Sequence, residues 1–216
     1  MPLWIKICGN TSLDDAQLAA EAGADALGFV FAHSPRRVTP DQVAAITPHL
    51  PTTVEKIGVF VDASVDEIAA TIRTAGLTGV QLHSGIPTDA TAQLRAVFGP
   101  GLRILRVVHF STNAAQEAAA LDADTNLDGL LIDSRTATAV GGTGITFDWQ
   151  TAAATLFHGD RKMIAAGGLN PANVAEAIAT LRPWGVDAVS GVEASPGRKD
   201  PAKVLAFIAA ARAASH

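Results

Sequence analysis

The chain has 216 residues, 48% of them hydrophobic, and a formal net charge of −5. That supplies one well-filled core, and residues 1–216 are read as a single domain. The acidic balance, the absence of Tyr and an aromatic content of only 5% argue against nucleic-acid binding and base stacking. A single cysteine makes neither an internal disulfide nor a thiolate-rich zinc site, so a reducing, cytoplasmic setting is expected. No apolar run approaches the ~18 residues of a membrane span. The start "MPLWIKICG" lacks a charged lead followed by an apolar centre, so no signal peptide and no membrane partner are expected.

In chain order, short apolar runs alternate with longer Ala-rich stretches. The runs are "LWIKIC", "ALGFVF", "EKIGVFV", "GVQLH", "LRILRVV", "DGLLID", "KMIAAGG" and "DAVSG". They are too short for helices and rich in Val, Ile and Leu, as strands buried on both faces are. The stretches between them carry helix signals. "TSLDDAQLAAEAGAD" opens at Ser12, has Asp14 and Asp15 in its first turn, and stops at Gly23. Thr39–Pro40, Asn170–Pro171 and Asp200–Pro201 each read as an N-cap followed by Pro at the first helical position. Strand and helix alternating eight times implies parallel strands with right-handed crossovers, closed into a short (β/α)₈ TIM barrel. The competing open sheet expects a Gly-rich turn after its first strand, and "CGNTSL" is not that turn.

In a barrel, chemistry sits at the C-terminal ends of the strands. Cys8, Arg36, His83, Asp133, "GGTG" at Gly141 to Gly144, "GGLNP" from Gly167 and "SGVEASPG" from Ser190 all follow a strand run. Cys8 is either a core filler or a thiol in the mouth; strand parity puts it on the same face as Lys6. A nearby cation would raise its thiolate fraction. Asp133 ends four apolar residues and is either a helix cap or a proton-transfer group. Strands one and six stand three steps apart on an eight-strand ring, so the two can face one another across a substrate. Arg36 and Arg37 follow Pro35; one of them suits an anion clamp, because a planar guanidinium binds a carboxylate bidentately. The glycines of strands seven and eight, Gly167, Gly168 and Gly191 with Ser190, expose backbone N–H groups where barrels frequently hold phosphate. Gly142 and Gly144 read as a loop near that phosphate. His83 reads as a polar residue of the mouth. No local spacing of His and carboxylates forms a metal motif, and no cofactor motif is found.

Together "KICG", "ALGFVFAHSPR", "IGVFV", "VQLH", "LLIDS", "GGTGITFDW", "AAGGLNPANV" and "VDAVSGVEASPGRKD" closely resemble the phosphoribosylanthranilate isomerase family over essentially the whole chain. The resemblance implies an enzyme of tryptophan biosynthesis. Its reaction is the Amadori rearrangement of N-(5-phosphoribosyl)anthranilate to 1-(2-carboxyphenylamino)-1-deoxyribulose 5-phosphate, without metal or organic cofactor. It implies Cys8 as general base, Asp133 as general acid and Arg36 as the holder of the anthranilate part. His83, Gly142, Gly144, Gly167, Gly168, Ser190 and Gly191 follow as substrate contacts. Two positions depart from the family pattern: Ser84 stands where Gly usually follows "QLH", and Val189 stands where a serine often precedes Ser190.

Three other readings stay open at this point. The sister sugar-phosphate isomerase of histidine biosynthesis runs the same chemistry, but that family carries an aspartate at the end of strand one, where Cys8 stands. A dual-substrate enzyme and a non-catalytic phosphate-binding barrel are the others. A monomer is expected, with a homodimer as the alternative.

Overall fold

The computed structural model describes residues 2–133 and 148–215. Eight parallel strands close a barrel in sequence order: β1 (Trp4–Ile7), β2 (Ala26–Val30), β3 (Glu55–Phe60), β4 (Gly79–Leu82), β5 (Arg103–His109), β6 (Gly129–Asp133), β7 (Met163–Ala166) and β8 (Gly185–Ala188). β8 returns to pair with β1, so no edge strand is left open. The helices between them are α1 (Leu13–Glu21), α2 (Pro40–Ala44), α3 (Val65–Ala75), α4 (Ala90–Phe98), α5 (Ala114–Leu121), α6 (Trp149–Thr155) and α7 (Val174–Leu181). A small hairpin, β9 (Glu193–Ser195) with β10 (Arg198–Lys199), precedes α8 (Pro201–Ala214). The TIM barrel expected from the run count is therefore present.

The period-two alternation of the strands divides the core in two. Outward residues such as Ile5, Ile7, Leu27, Phe29, Val80, Leu82, Ile104 and Val186 pack under the helices. Inward residues Trp4, Ala26, Ile57, Leu105, Val107, Leu131, Ile164 and Ala166 fill the lumen as a separate cluster. Two outward strand residues are charged. Arg106 donates to the Ile86 and Pro87 carbonyls and Lys56 to the Pro51 carbonyl, so each pins a neighbouring loop.

The helix signals mostly hold. The Ser12 hydroxyl accepts from the Asp15 N–H, and Asp200 caps α8 through Ala202 and Lys203. Thr39 and Gln42 form a reciprocal capping box with Pro40 at the first position. The signal at Asn170–Pro171 is displaced: α7 begins at Val174. The Asn170 carboxamide instead accepts from the Ala172 N–H in a local turn, and the Asn173 carboxamide accepts from the Asn170 N–H. The eighth strand also ends early, at Ala188. Val189 leaves the ladder at φ −124°, ψ −88°, and Ser190–Val192 coil into a 3₁₀ turn.

At the N-terminal mouth a recurring device closes three strand pairs. The residue ahead of an even strand accepts from a free N–H of the preceding odd strand: Asp25 from Ile5 at 2.7 Å, Thr78 from Lys56 at 2.8 Å, and Asp128 from Ile104 at 2.7 Å. The same mouth is plugged by Trp4 stacked on Trp184, with ring centroids 5.2 Å apart. Arg103 and Lys162 lie over the Trp184 ring, and Arg103 is also clamped by the Glu55 carboxylate.

Candidate active site

Cys8 follows the last residue of β1 and is 4% exposed. The strand's parity carries its side chain inward, one level above Lys6. Two glycines make room there. A Cβ on Gly28 of β2 would stand 2.4 Å from the Cys8 sulfur, and a Cβ on Gly9, at φ +77°, would stand 2.8 Å from Arg36 Cδ. Asn10, fully buried, donates to the Ile7 and Gly28 carbonyls and ties the end of β1 to β2.

Below Cys8 lies an ion pair inside the lumen. The Lys6 ammonium, with no exposed surface, donates to Asp187 Oδ1 on β8 at 3.0 Å and to Gln81 Oε1 on β4 at 2.9 Å. Burial pushes the Cys8 thiol above its ordinary value, and the Lys6 charge opposes that push. Burial alone would lower Lys6, but the Asp187 carboxylate, joined by Cys8 when it ionises, outweighs it and holds the ammonium protonated.

Asp133 closes β6 and is 3% exposed. It lies beside His109 in the β5–β6 ladder and Ala166 in the β6–β7 ladder. β6 stands three strands from β1 around the ring, so Cys8 and Asp133 occupy separate sectors of one mouth, as expected. Asp133 does not cap a helix in the described residues. His83 follows β4; its Nε2 is 3.5 Å from Gln81 Nε2, and its ring is 5.7 Å from that of His109. His109 was not anticipated, because the fifth run was read as ending at Val108.

Arg36 reaches the same mouth from the loop after β2, where its N–H is held by the Ser34 hydroxyl. Its guanidinium is already engaged on one edge: Nε and Nη2 donate to the two oxygens of Glu193 at 2.8 and 2.6 Å. Burial acts to raise Glu193, but hydrogen bonds from Arg36 and the charges of Lys199 and Arg36 hold its carboxyl below the usual range. Lys199 is buried behind this pair and donates to the Cys8 carbonyl at 2.5 Å. Glu193 and Lys199 escaped the sequence reading, although both lie in the quoted "SGVEASPGRKD" motif.

The two loops expected to take phosphate lie against each other. Gly167 and Gly168 both have positive φ, +84° and +69°, which L side chains rarely adopt. The Gly168 carbonyl is held by Asn170 and Asn173. Gly191, in the 3₁₀ turn with Ser190, sits so close that a Cβ would be 2.0 Å from the Leu169 carbonyl oxygen. Gly142 and Gly144 lie outside the described residues. Among the described residues no cluster of three or more His, Cys, Asp or Glu side chains could hold a metal ion.

The profile of the N-(5′-phosphoribosyl)anthranilate isomerase family matches residues 5–210. The N-(5′-phosphoribosyl)anthranilate isomerase of Citrifermentans bemidjiense is 44% identical over 209 residues, covering 96% of each chain. The solved phosphoribosyl anthranilate isomerase of Thermotoga maritima superposes with a TM-score of 0.83 at 36% identity, covering 98% of this chain and 99% of its own. A second solved isomerase of that name holds reduced 1-(o-carboxyphenylamino)-1-deoxyribulose 5-phosphate; it superposes with a TM-score of 0.81 at 33% identity over 98% of this chain and 99% of its own. The fold, the thiol and carboxyl at its C-terminal mouth, and these likenesses converge: the chain belongs to the phosphoribosylanthranilate isomerase family.

Proposed function

We propose that this barrel isomerises N-(5-phosphoribosyl)anthranilate with Cys8 as base and Asp133 as acid. The observation that carries the assignment is the placement of one buried thiol and one buried carboxyl at the C-terminal ends of β1 and β6, across a single mouth. Protonated Asp133 donates to the furanose ring oxygen, the C1′–O bond breaks, and the anilino nitrogen lone pair forms an iminium. Cys8 thiolate then takes the C2′ proton, and the electron pair of that C–H bond neutralises the iminium to give an enolamine. Protonation at C1′ and loss of the C2′ hydroxyl proton give the ketone.

The order suits the electrostatics. Burial favours the neutral thiol. The iminium made by ring opening is a positive charge beside Cys8, and an opposite charge favours the thiolate. The thiol is thus ionised after the acid has acted.

Arg36, oriented by Glu193 on one edge, offers its remaining N–H groups to the anthranilate carboxylate. His83 lines the mouth at the end of β4. Backbone N–H groups of Gly167, Gly168, Ser190 and Gly191 take the phosphate. Holding that remote group keeps C2′ against the base. The enzyme works on a small phosphorylated molecule as a monomer in the cytoplasm, where a free thiol base stays reduced. Among the described residues only Val61, Val97 and Leu205 are exposed large hydrophobics, too scattered for a dimer face. Among the same residues no helix is long and apolar enough to cross a membrane.

Substrate generated in situ, with EDTA present and a downstream coupling enzyme, tests the assignment. Rapid loss of anthranilate fluorescence on adding the protein supports it; a folded sample without turnover removes it.

A further inference from the structure

We propose that Lys6 is the positioning residue for the working form of Cys8: its ammonium, on the same inward face of β1 and anchored to Asp187 and Gln81, keeps a positive charge under the sulfur and holds it as a thiolate toward the substrate. This rests on the reading of Cys8 as the base. An ammonium has three N–H groups. Two are fixed by partners on β8 and β4, and the charge of the fully buried ammonium favours the Cys8 thiolate. Strand parity places Cys8 directly above Lys6. Gly28, too close to the sulfur to carry a Cβ, leaves no side chain from β2 beside it.

Stability does not call for this arrangement. A buried ion pair is often replaceable by apolar residues of the same volume at no loss, and the neighbouring lumen is filled by Ile57, Leu105, Leu131 and Ile164. An ion pair here instead keeps one cation permanently under the thiol. Among the described residues the charged groups around Cys8 are few. Lys6 lies on its own strand and Asp187 on β8. Lys199 on β10 approaches its carbonyl, with Glu193 and Arg36 behind. β4 brings Gln81, with His83 beyond it, and β2 brings only Gly28. Lys6 and Lys199 favour the thiolate, and Asp187 opposes it by less than Lys6 supports it.

The chain is well suited to a direct test. Cys8 is its only cysteine and it has no Tyr, so the ultraviolet band of the thiolate can be titrated without a second thiol or a tyrosinate. Lys6→Met alone strands Asp187 in the lumen and risks unfolding. Lys6→Met combined with Asp187→Asn removes the charge as a pair, and the new amide can donate to Gln81. Folding of each variant is checked by circular dichroism. In the double variant the Cys8 midpoint should rise by about half a unit or more, less than the loss of one adjacent opposite charge alone would give, because the opposing Asp187 charge is removed with Lys6. At neutral pH kcat should fall about threefold or more and recover as pH rises toward the new midpoint, with KM within about twofold. A folded double variant whose thiol midpoint and acid limb of kcat match wild type overturns the proposal. The titration needs no substrate. A Lys6-dependent midpoint in a protein that turns over no phosphoribosylanthranilate would keep the Lys6–Cys8 coupling and remove the isomerase assignment.

Discussion

At the N-terminal mouth the Arg103 guanidinium lies between the Glu55 carboxylate and the Trp184 ring, and Trp4 stacks beneath. At the C-terminal mouth the Lys6 ammonium is also paired, to Asp187, but under a thiol that burial pushes toward the neutral form and Lys6 toward the thiolate. Both ends pair charge, partly exposed at the first and fully buried at the second. At the first, aromatic faces and opposite charges satisfy one another and the end is closed. At the second, a cation is held beside a group that changes its protonation state. A paired charge thus serves stability when its neighbours are fixed in charge, and serves chemistry when one of them titrates.

Substitutions at the two ends should therefore separate activity from stability. Asp133→Asn removes the acid and should lower kcat by about 100-fold or more, the low end for an acid–base role, with an unfolding midpoint close to wild type. Trp4→Ala at the opposite mouth should do the reverse. It should cost about 3–5 kcal/mol of stability in urea unfolding, while kcat per folded molecule stays at the wild-type value. Gly28→Ala sharpens the contrast, because it adds only a methyl group. That methyl would stand 2.4 Å from the Cys8 sulfur. Steady-state kinetics should show kcat lowered by up to about 100-fold, the scale of an ångström-sized misplacement.

The smallest effect is a pH dependence. The Glu193 carboxyl is held below its ordinary value by Arg36 and Lys199 against its burial. A depressed carboxylate contributes stability that is complete above its unfolded pKa and lost as pH falls through the folded one. Urea midpoints measured on acidification should therefore fall more steeply in wild type than in Glu193→Gln, and should not differ in slope near neutrality.

The barrel was legible because strand runs buried on both faces and capped Ala-rich helices repeat along the chain. Ser12, Thr39 with Pro40, and Asp200 with Pro201 act locally and appear where their residue types predict. Cys8 and Asp133 were legible because polar groups end apolar runs. What sequence missed was long-range. Lys6 meets Asp187 across 181 positions, and Arg36 meets Glu193 across 157, so no local spacing announces either pair. The late start of α7 has a different origin. Asn170 followed by Pro has the chemistry of a cap, but its carboxamide closes a turn that also fixes the loop of Gly168.

The most direct test compares wild type and Cys8→Ala in one assay: N-(5-phosphoribosyl)anthranilate made in situ, EDTA present, and fluorescence loss followed at saturating substrate. The account predicts metal-independent turnover by wild type and a kcat lowered about 100-fold or more in a folded Cys8→Ala variant. A folded Cys8→Ala variant with near-wild-type kcat would contradict it, and the base would have to be sought elsewhere in the mouth.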